Sequence, residues 1–300
     1  MTLFYSDVFV LPLPSHHRFP MGKYVRLRAR LLACGEFAED DFRIPEAAAD
    51  TEITRAHCPG YLGRVVRGEL DASEVRAIGF PWSDRMVERS RRSAGATLAA
   101  AREALTRGWS ANLAGGTHHA HRDRGEGFCV FNDAAIAARA MQAEAGLQRV
   151  AIIDCDVHQG NGTASIFTDD DSVFTFSIHG ARNFPFAKIA GDLDIDLPDG
   201  TGDDEYLWHL ERGLDETLER SRPQLAIYLA GADPYEDDRL GRLKLTKAGL
   251  ARRDERVLDT LAARGIPVAI AMAGGYARDI EDSVEIHANT IRTARARCSA

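Results

Sequence analysis

Asp156 and His158 stand two residues apart in the run Asp154-Cys155-Asp156-Val157-His158-Gln159-Gly160-Asn161-Gly162. In extended chain this spacing turns both side chains to one side, so the pair can grip a single ion. Asp233, within Gly231-Ala232-Asp233, can supply a third ligand. Three protein ligands leave a fourth position open to water or substrate, the catalytic arrangement for zinc. A nitrogen and oxygen set without thiolate would also accept Fe2+, Mn or Co. Taken by itself, Asp156-x-His158 reads as well as a strand-end turn with a capping aspartate.

Two carboxylates formally neutralise a divalent ion, which would then acidify a water less than a tris-histidine site does. A separate general base is needed, and His118-His119 can provide it. Adjacent side chains diverge, so one imidazole should face the water and the other sit to its side. A lone His-His pair is usually incidental. Here Gly115-Gly116 precede it and let backbone approach the site closely. Tyr276 follows Gly274-Gly275, a turn able to present its phenol opposite the metal, where it would stabilise a tetrahedral oxyanion. On its own, Tyr276 would pass for a surface loop tyrosine.

The elements that must position these residues follow from hydrophobic pattern. Short continuous apolar runs, expected of strands covered on both faces, occur at Leu3–Val10, Trp109–Ala114, Val150–Asp154, Val173–Ile178, Leu225–Ala230 and Val268–Met272. Apolar residues three and four apart predict helices over Asp84–Arg107, Asp133–Ala145, Asp203–Arg220, Lys247–Arg264 and Ile280–Ala296. Ser83 is the N-cap of the first, and Gly108 follows its last turn. The stretch Arg43–Glu74 shows no clear period. This alternation predicts a three-layer α/β/α fold with a mostly parallel central sheet. With no internal repeat, low-complexity segment or linker, residues 1–300 read as a single domain. Open parallel sheets bind ligands at the carboxyl ends of their strands, and there the runs lead into His118-His119, Asp156 and His158, Ser177, Asp233 and Tyr276.

Bulk composition narrows the class. Hydrophobic residues make up 45% and charged residues 27%, as in a globular chain, and no apolar run is long enough to span a bilayer. The first residues lack a basic stretch ahead of an apolar block, so they do not read as a signal peptide and the expected location is the cytoplasm. A net charge of -8 argues against nucleic acid as the main partner. The five cysteines form no CxxC pair and suit reduced thiols, with Cys129 and Cys155 read as small buried hydrophobes.

The segments Gly115-Gly116-Thr117-His118-His119-Ala120, Gly127-Phe128-Cys129, Asn132-Asp133, Asp154 to Thr163, Gly231-Ala232-Asp233 and Gly274-Gly275-Tyr276 occur in the order of the motif series of the zinc-dependent histone deacetylases, and the chain resembles that family over nearly its whole length. The segments His17 to Tyr24 and Gly202 to Leu207, with His158-Gln159-Gly160-Asn161-Gly162, lean toward the class IV branch and its bacterial relatives.

The resemblance implies an arginase/deacetylase-like fold and an amidohydrolase that removes acyl groups from lysine in proteins or peptides. By matched position, Asp156, His158 and Asp233 would hold zinc, with Fe2+ possible, and Tyr276 would polarise the scissile carbonyl. His119 would be the base and then the acid for the leaving amine, with His118 in electrostatic support. Asp154 would orient His118. With Ser177 and the carbonyls of Asp156, His158 and Ile178, it would also surround a monovalent cation, expected to be potassium; plain strand-end hydrogen bonding is the alternative. Many family members carry Asp where this chain has Asn161, the expected partner of His119. A neutral amide raises a histidine less than a carboxylate does, so His119 is expected to stay neutral near pH 7. Gly127, Phe128, Phe184 and Leu240 would line the substrate channel, with Phe186 nearby. His16, His57, His121, His209 and His287 match no ligand position and read as surface or packing residues. An acetylpolyamine or other small-amine deacetylase, and a catalytically silent acyl-lysine binder, are the alternatives. A two-metal ureohydrolase is disfavoured, because Gly231-Ala232-Asp233-Pro234-Tyr235 offers a single Asp.

Overall fold

The computed structural model describes residues 1–14 and 17–298. Its strands are β1 (Thr2–Phe4), β2 (Phe42–Arg43), β3 (Trp109–Asn112), β4 (Val150–Asp154), β5 (Val173–Gly180), β6 (Leu193–Leu197), β7 (Leu225–Leu229) and β8 (Val268–Ala271). They form one sheet in the order β2-β1-β3-β8-β7-β4-β5-β6, and every ladder is parallel. The inner strands β4 and β7 are buried along their whole length. This is why they read as unbroken apolar runs: each Val, Leu or Ile fully withdrawn from water contributes about 1.5–3 kcal/mol.

The helices are α1 (Lys23–Ala33), α2 (Asp50–Ile53), α3 (Pro59–Arg67), α4 (Ala72–Ile78), α5 (Asp84–Arg107), α6 (Asp133–Ala145), α7 (Asn161–Ile166), α8 (Asp203–Ser221), α9 (Lys247–Ala263) and α10 (Ile280–Cys298). One layer contains α5, which packs on β1, β3 and β8 and against α6. The other runs from α8 on β5 and β6 through α9 and α10 to α1. The expected Ser83 cap holds, its hydroxyl accepting from Met86 N at 3.1 Å. Among the described residues, no helix is long and apolar enough to cross a membrane.

One expected strand is shortened, and two elements appear that were not expected. The strand expected over Leu3–Val10 stops at Phe4, because Ser6 caps a one-turn helix at Asp7–Phe9 and folds the chain away from the sheet. Helix α1 was not anticipated: its arginines interrupt the apolar spacing, yet Lys23, Tyr24, Leu27 and Leu31 form its buried side. Strand β6, Leu-Asp-Ile-Asp-Leu, is an edge strand paired only with β5, so it alternates and escapes a search for continuous apolar runs.

Candidate active site

Strands β3, β8, β7, β4 and β5 are neighbours in that order, and their carboxyl ends deliver His118 and His119, Tyr276, Asp233, Asp156 and His158, and Ser177. Nδ1 of His158 lies 2.9 Å from Asp156 Oδ1 and 3.3 Å from Asp233 Oδ2. One ligand atom from each of these three buried residues falls within 4.8 Å of the others. The cluster is braced from behind: Val157 N donates to Asp233 Oδ1 at 2.9 Å, and Gly274 N to Asp156 Oδ2 at 2.7 Å. Asp233 Oδ2 is buried and accepts no hydrogen bond. A buried carboxylate oxygen without a donor is costly, so this donor set fits a divalent cation.

The two histidine rings do not splay apart as expected but lie with centroids 4.1 Å apart, and their Nδ1 atoms turn to different partners. His118 Nδ1 pairs with Asp154 Oδ2 at 2.6 Å, and His119 Nδ1 with Asn161 Oδ1 at 2.7 Å. Burial opposes charge on His118, but Asp154 and Asp156 outweigh it and lift the imidazole to about 9. His119 has no such carboxylate partner; burial, with His118 and His158 close by, holds it well below the usual histidine range. Burial also opposes charge on His158, yet Asp156 and Asp233 raise it to about 10. Asp233 is raised to about 7 by burial and by its neighbour Asp156. Burial pushes the Tyr276 phenol well above its usual value, so it remains a donor at neutral pH. These directions belong to the metal-free protein.

Asp154 and Ser177 are register partners on β4 and β5. Asp154 Oδ1 also accepts from Asp156 N at 3.1 Å, while Ser177 Oγ meets His179 Nδ1 at 2.9 Å. The ordinary strand-end hydrogen bonds are therefore present. Asp156 and His158 are buried, and among the described residues no donor reaches their backbone carbonyls.

A cavity of about 730 Å³ opens onto these residues, lined among others by Gly127, Phe128, Phe184, Phe186, Leu240 and Tyr276. Phe184 stands edge-on to the His119 ring at 4.9 Å, and Phe128 packs against Phe19 and Phe80. Phe186 is 85% exposed at the rim. Gly127 has φ +58°, and a β-carbon there would fall 2.5 Å from His119 Cδ2. Only glycine suits that position.

Several residues have supporting roles that the sequence did not reveal. Asp133 accepts from Gly116 N at 2.9 Å, from Thr117 N at 2.7 Å and from Thr117 Oγ1, shaping the loop that carries both histidines. Arg253, fully buried on α9, donates to the carbonyls of Gly231 and Cys155, tying the ends of β7 and β4 together. Asp238 accepts from Tyr276 N at 2.6 Å and from Leu240 N at 2.7 Å. Lys23 Nζ donates to Ala273 O at 3.0 Å and lies 5.5 Å from the Tyr276 ring centre. An Asp or Arg that binds backbone leaves no spacing signature, so nothing short of the fold reveals it.

Of the remaining histidines, His57 is buried and accepts from Asn132 N, and His287 is buried beside Gly275. His209 rests edge-on to Trp208. His121 is also buried, but next to the site, with Nε2 3.3 Å from Glu126 Oε1. His16 lies outside the described residues.

The chain matches the histone deacetylase domain family over residues 17–291. It is 44% identical to an uncharacterized protein of Picosynechococcus sp., covering 97% of each chain. It is 32% identical to histone deacetylase 2 of Arabidopsis thaliana, covering 93% of this chain and 76% of that one. The crystal structure of an HDAC homolog from Aquifex aeolicus shares the fold, with a TM-score of 0.84 and 23% identity over 98% of this chain and 83% of that chain.

Proposed function

This chain belongs to the histone deacetylase family of hydrolases, and from that premise we propose that it removes acyl groups from the side-chain amine of lysine in proteins or peptides. The observation that carries the reading is the buried Asp156, His158 and Asp233 set, lying beside two differently tuned histidines and a protonated phenol.

Asp156, His158 and Asp233 would hold the ion, zinc by preference over Fe2+. When bound, zinc supplies Lewis acidity toward the acyl carbonyl and lowers the pKa of the attacking water. His119, neutral because it is buried without a carboxylate partner, takes the proton from that water and later delivers it to the leaving amine. His118, paired with Asp154, adds positive charge beside the developing oxyanion. Tyr276 donates its phenolic hydrogen to the same oxygen. Phe128 and Phe184 give the methylene stem of a lysine an aromatic passage and exclude water from it. The undonated carbonyls of Asp156 and His158, with Asp154, Ser177 and the Ile178 carbonyl, would supply an all-oxygen set suited to potassium. Residues 1–300 act as one catalytic unit. We place it in the cytoplasm, where its five unpaired cysteines would stay reduced.

The test is a turnover screen of zinc-loaded protein on one lysine peptide bearing acetyl, lactyl, octanoyl or myristoyl groups, beside acetylated polyamines, with Tyr276→Phe as control. Peptide deacylation that the control lacks supports the reading and gives the acyl preference. Activity confined to polyamines would make it a small-amine deacetylase. Binding of the peptide without any turnover would make it an acyl-lysine recognition protein.

A further inference from the structure

The partner of His119 is itself held by a third residue. Asn161 Oδ1 faces His119 Nδ1 at 2.7 Å, while Asn161 Nδ2 lies 2.5 Å from Glu126 Oε1. His121 Nε2 approaches the same carboxylate oxygen at 3.3 Å. The two ends of an amide are distinguished by what they face. An ionised carboxylate can only accept, so Asn161 must turn its NH2 to Glu126 and its carbonyl to His119. A carbonyl also only accepts. The proton of neutral His119 therefore sits on Nδ1, and the lone pair is left on Nε2, on the far side of the ring from Asn161. A reversed amide would present NH2 to Nδ1, move the proton to Nε2 and remove the lone pair that a base needs.

We propose that Glu126 is the positioning residue of the base: by fixing which way the Asn161 amide points, it fixes which nitrogen of His119 carries the proton. This rests on the reading of His119 as the base. Glu126 acts through two hydrogen bonds in series, His119 to Asn161 to Glu126. Its own main chain is occupied elsewhere, with Cys129 N donating to the Glu126 carbonyl at 2.9 Å, so the turn does not depend on the carboxylate. Hydrogen bonds from His121 and Asn161, together with nearby Arg124, hold Glu126 below the usual carboxylate range although it is half-buried. The arrangement also accounts for an amide at position 161. An aspartate there would put two carboxylates in hydrogen-bond contact, and such a pair cannot both ionise.

The experiment is steady-state kinetics on the acyl-lysine peptide that the parent protein turns over, with E126A, E126Q, N161D, the double variant N161D/E126Q, and H119A. E126A is expected to lower kcat by about tenfold, a fraction of what a general base contributes, with KM changed less than about twofold. E126Q should fall between the parent and E126A, because a glutamine oxygen can accept from Asn161 but its NH2 no longer forces the amide's direction. N161D should be impaired, and adding E126Q should restore it, since the glutamine NH2 then donates to the new carboxylate. Imidazole 15N shifts should place the His119 proton on Nδ1 in the parent and redistribute it in E126A. A kcat for E126A within about twofold of the parent, or an E126Q that falls below E126A, would overturn the proposal. If E126A does not fold, N161D against N161D/E126Q decides, and a double variant worse than N161D alone overturns it. An H119A that retains turnover would instead remove the base reading, while the 15N shifts still report whether Glu126 sets the tautomer.

Discussion

A β-carbon on Gly274 would lie 1.9 Å from Oδ2 of Asp233, far inside any non-bonded approach of carbon and oxygen. The same carbon would meet Asp156 Oδ2 at 2.6 Å. Gly274→Ala must therefore push apart two of the three proposed metal ligands. We expect zinc affinity to fall at least about tenfold, the scale on which disturbed metal surroundings act. Competition with a chromophoric chelator would show it, and an unchanged affinity would mean that the carboxylates do not meet at one ion.

Asp238 ties Tyr276 to the channel wall, accepting from the backbone N–H groups of Tyr276, Leu240 and Gly241. Asp238→Asn would set an NH2 against N–H donors, leaving one of them unpaired at a cost of about 1–3 kcal/mol. The expected result is a drop of at least about tenfold in kcat/KM with a higher KM, because phenol and wall loosen together. A change confined to melting temperature would assign Asp238 to the scaffold alone.

Arg253 and Asp254 form a fully buried pair, and Asp254 also accepts from Tyr228 Oη at 2.6 Å and from Thr290 Oγ1 at 2.5 Å. Removing one partner leaves the other charge uncompensated, which costs about 3–5 kcal/mol. Arg253→Met should thus lower stability by that amount in denaturant unfolding of the zinc-loaded protein. It should also weaken zinc, since Arg253 joins the strand ends that carry Asp156 and Asp233. Substituting both members by apolar residues should recover part of the stability and none of the zinc affinity.

Zinc uptake should release protons. In the metal-free protein burial opposes charge on His158 but Asp156 and Asp233 raise it, and burial raises Asp233, so both groups hold protons more tightly than they would in water. Both must give up protons to bind an ion. Calorimetric titration at pH 7 in buffers of different ionisation enthalpy should read a net release of protons on zinc binding. Release near zero would show that His158 is already neutral in the empty site.

The same groups set how the metal-free protein responds to pH. His118 and His158 are raised above the ordinary histidine value, to about 9 and about 10. Their contribution to stability is complete below about pH 6.5 and is lost as the pH rises through those values. Asp233, raised to about 7, has the same sign, but its penalty builds between the ordinary aspartate value and about pH 7 and adds little above that. The melting temperature of chelator-treated protein should fall steadily from pH 6.5 to 10, and zinc should flatten the curve. A rise over that interval would contradict the assignment of charge.

Much of the site was legible because chemistry at a parallel-sheet edge leaves local marks. Asp156-x-His158, the His118-His119 pair and the Gly274-Gly275-Tyr276 turn each follow a buried strand, and Val150–Asp154 was bounded correctly from its apolar run. Helices Asp84–Arg107 and Asp133–Ala145 were likewise readable from spacing and caps. The roles of Glu126, Asp133, Asp238 and Arg253 were not, because each acts through atoms distant in sequence. Asp133 reaches Thr117, and Arg253 reaches a carbonyl 98 residues away. His121 was set aside because it matches no ligand position, although it stands against the carboxylate that holds Asn161. Helix α1 was hidden by its arginines, which face outward while Lys23 turns in.

The proposed metal ligands come from β4 and β7, which touch only after β5, β6 and α8 have been laid down between them in the chain, and Gly274 N reaches Asp156 across 118 residues. No early, local fragment contains the complete set, and half of it binds an ion poorly. The ion thus cannot nucleate the fold. It can only reward a chain that has closed its sheet, so zinc should slow unfolding while leaving the refolding rate nearly unchanged. Occupancy of this site is then a gauge of finished folding, and a chain that stalls with β7 or β8 undocked would be passed over by the metal.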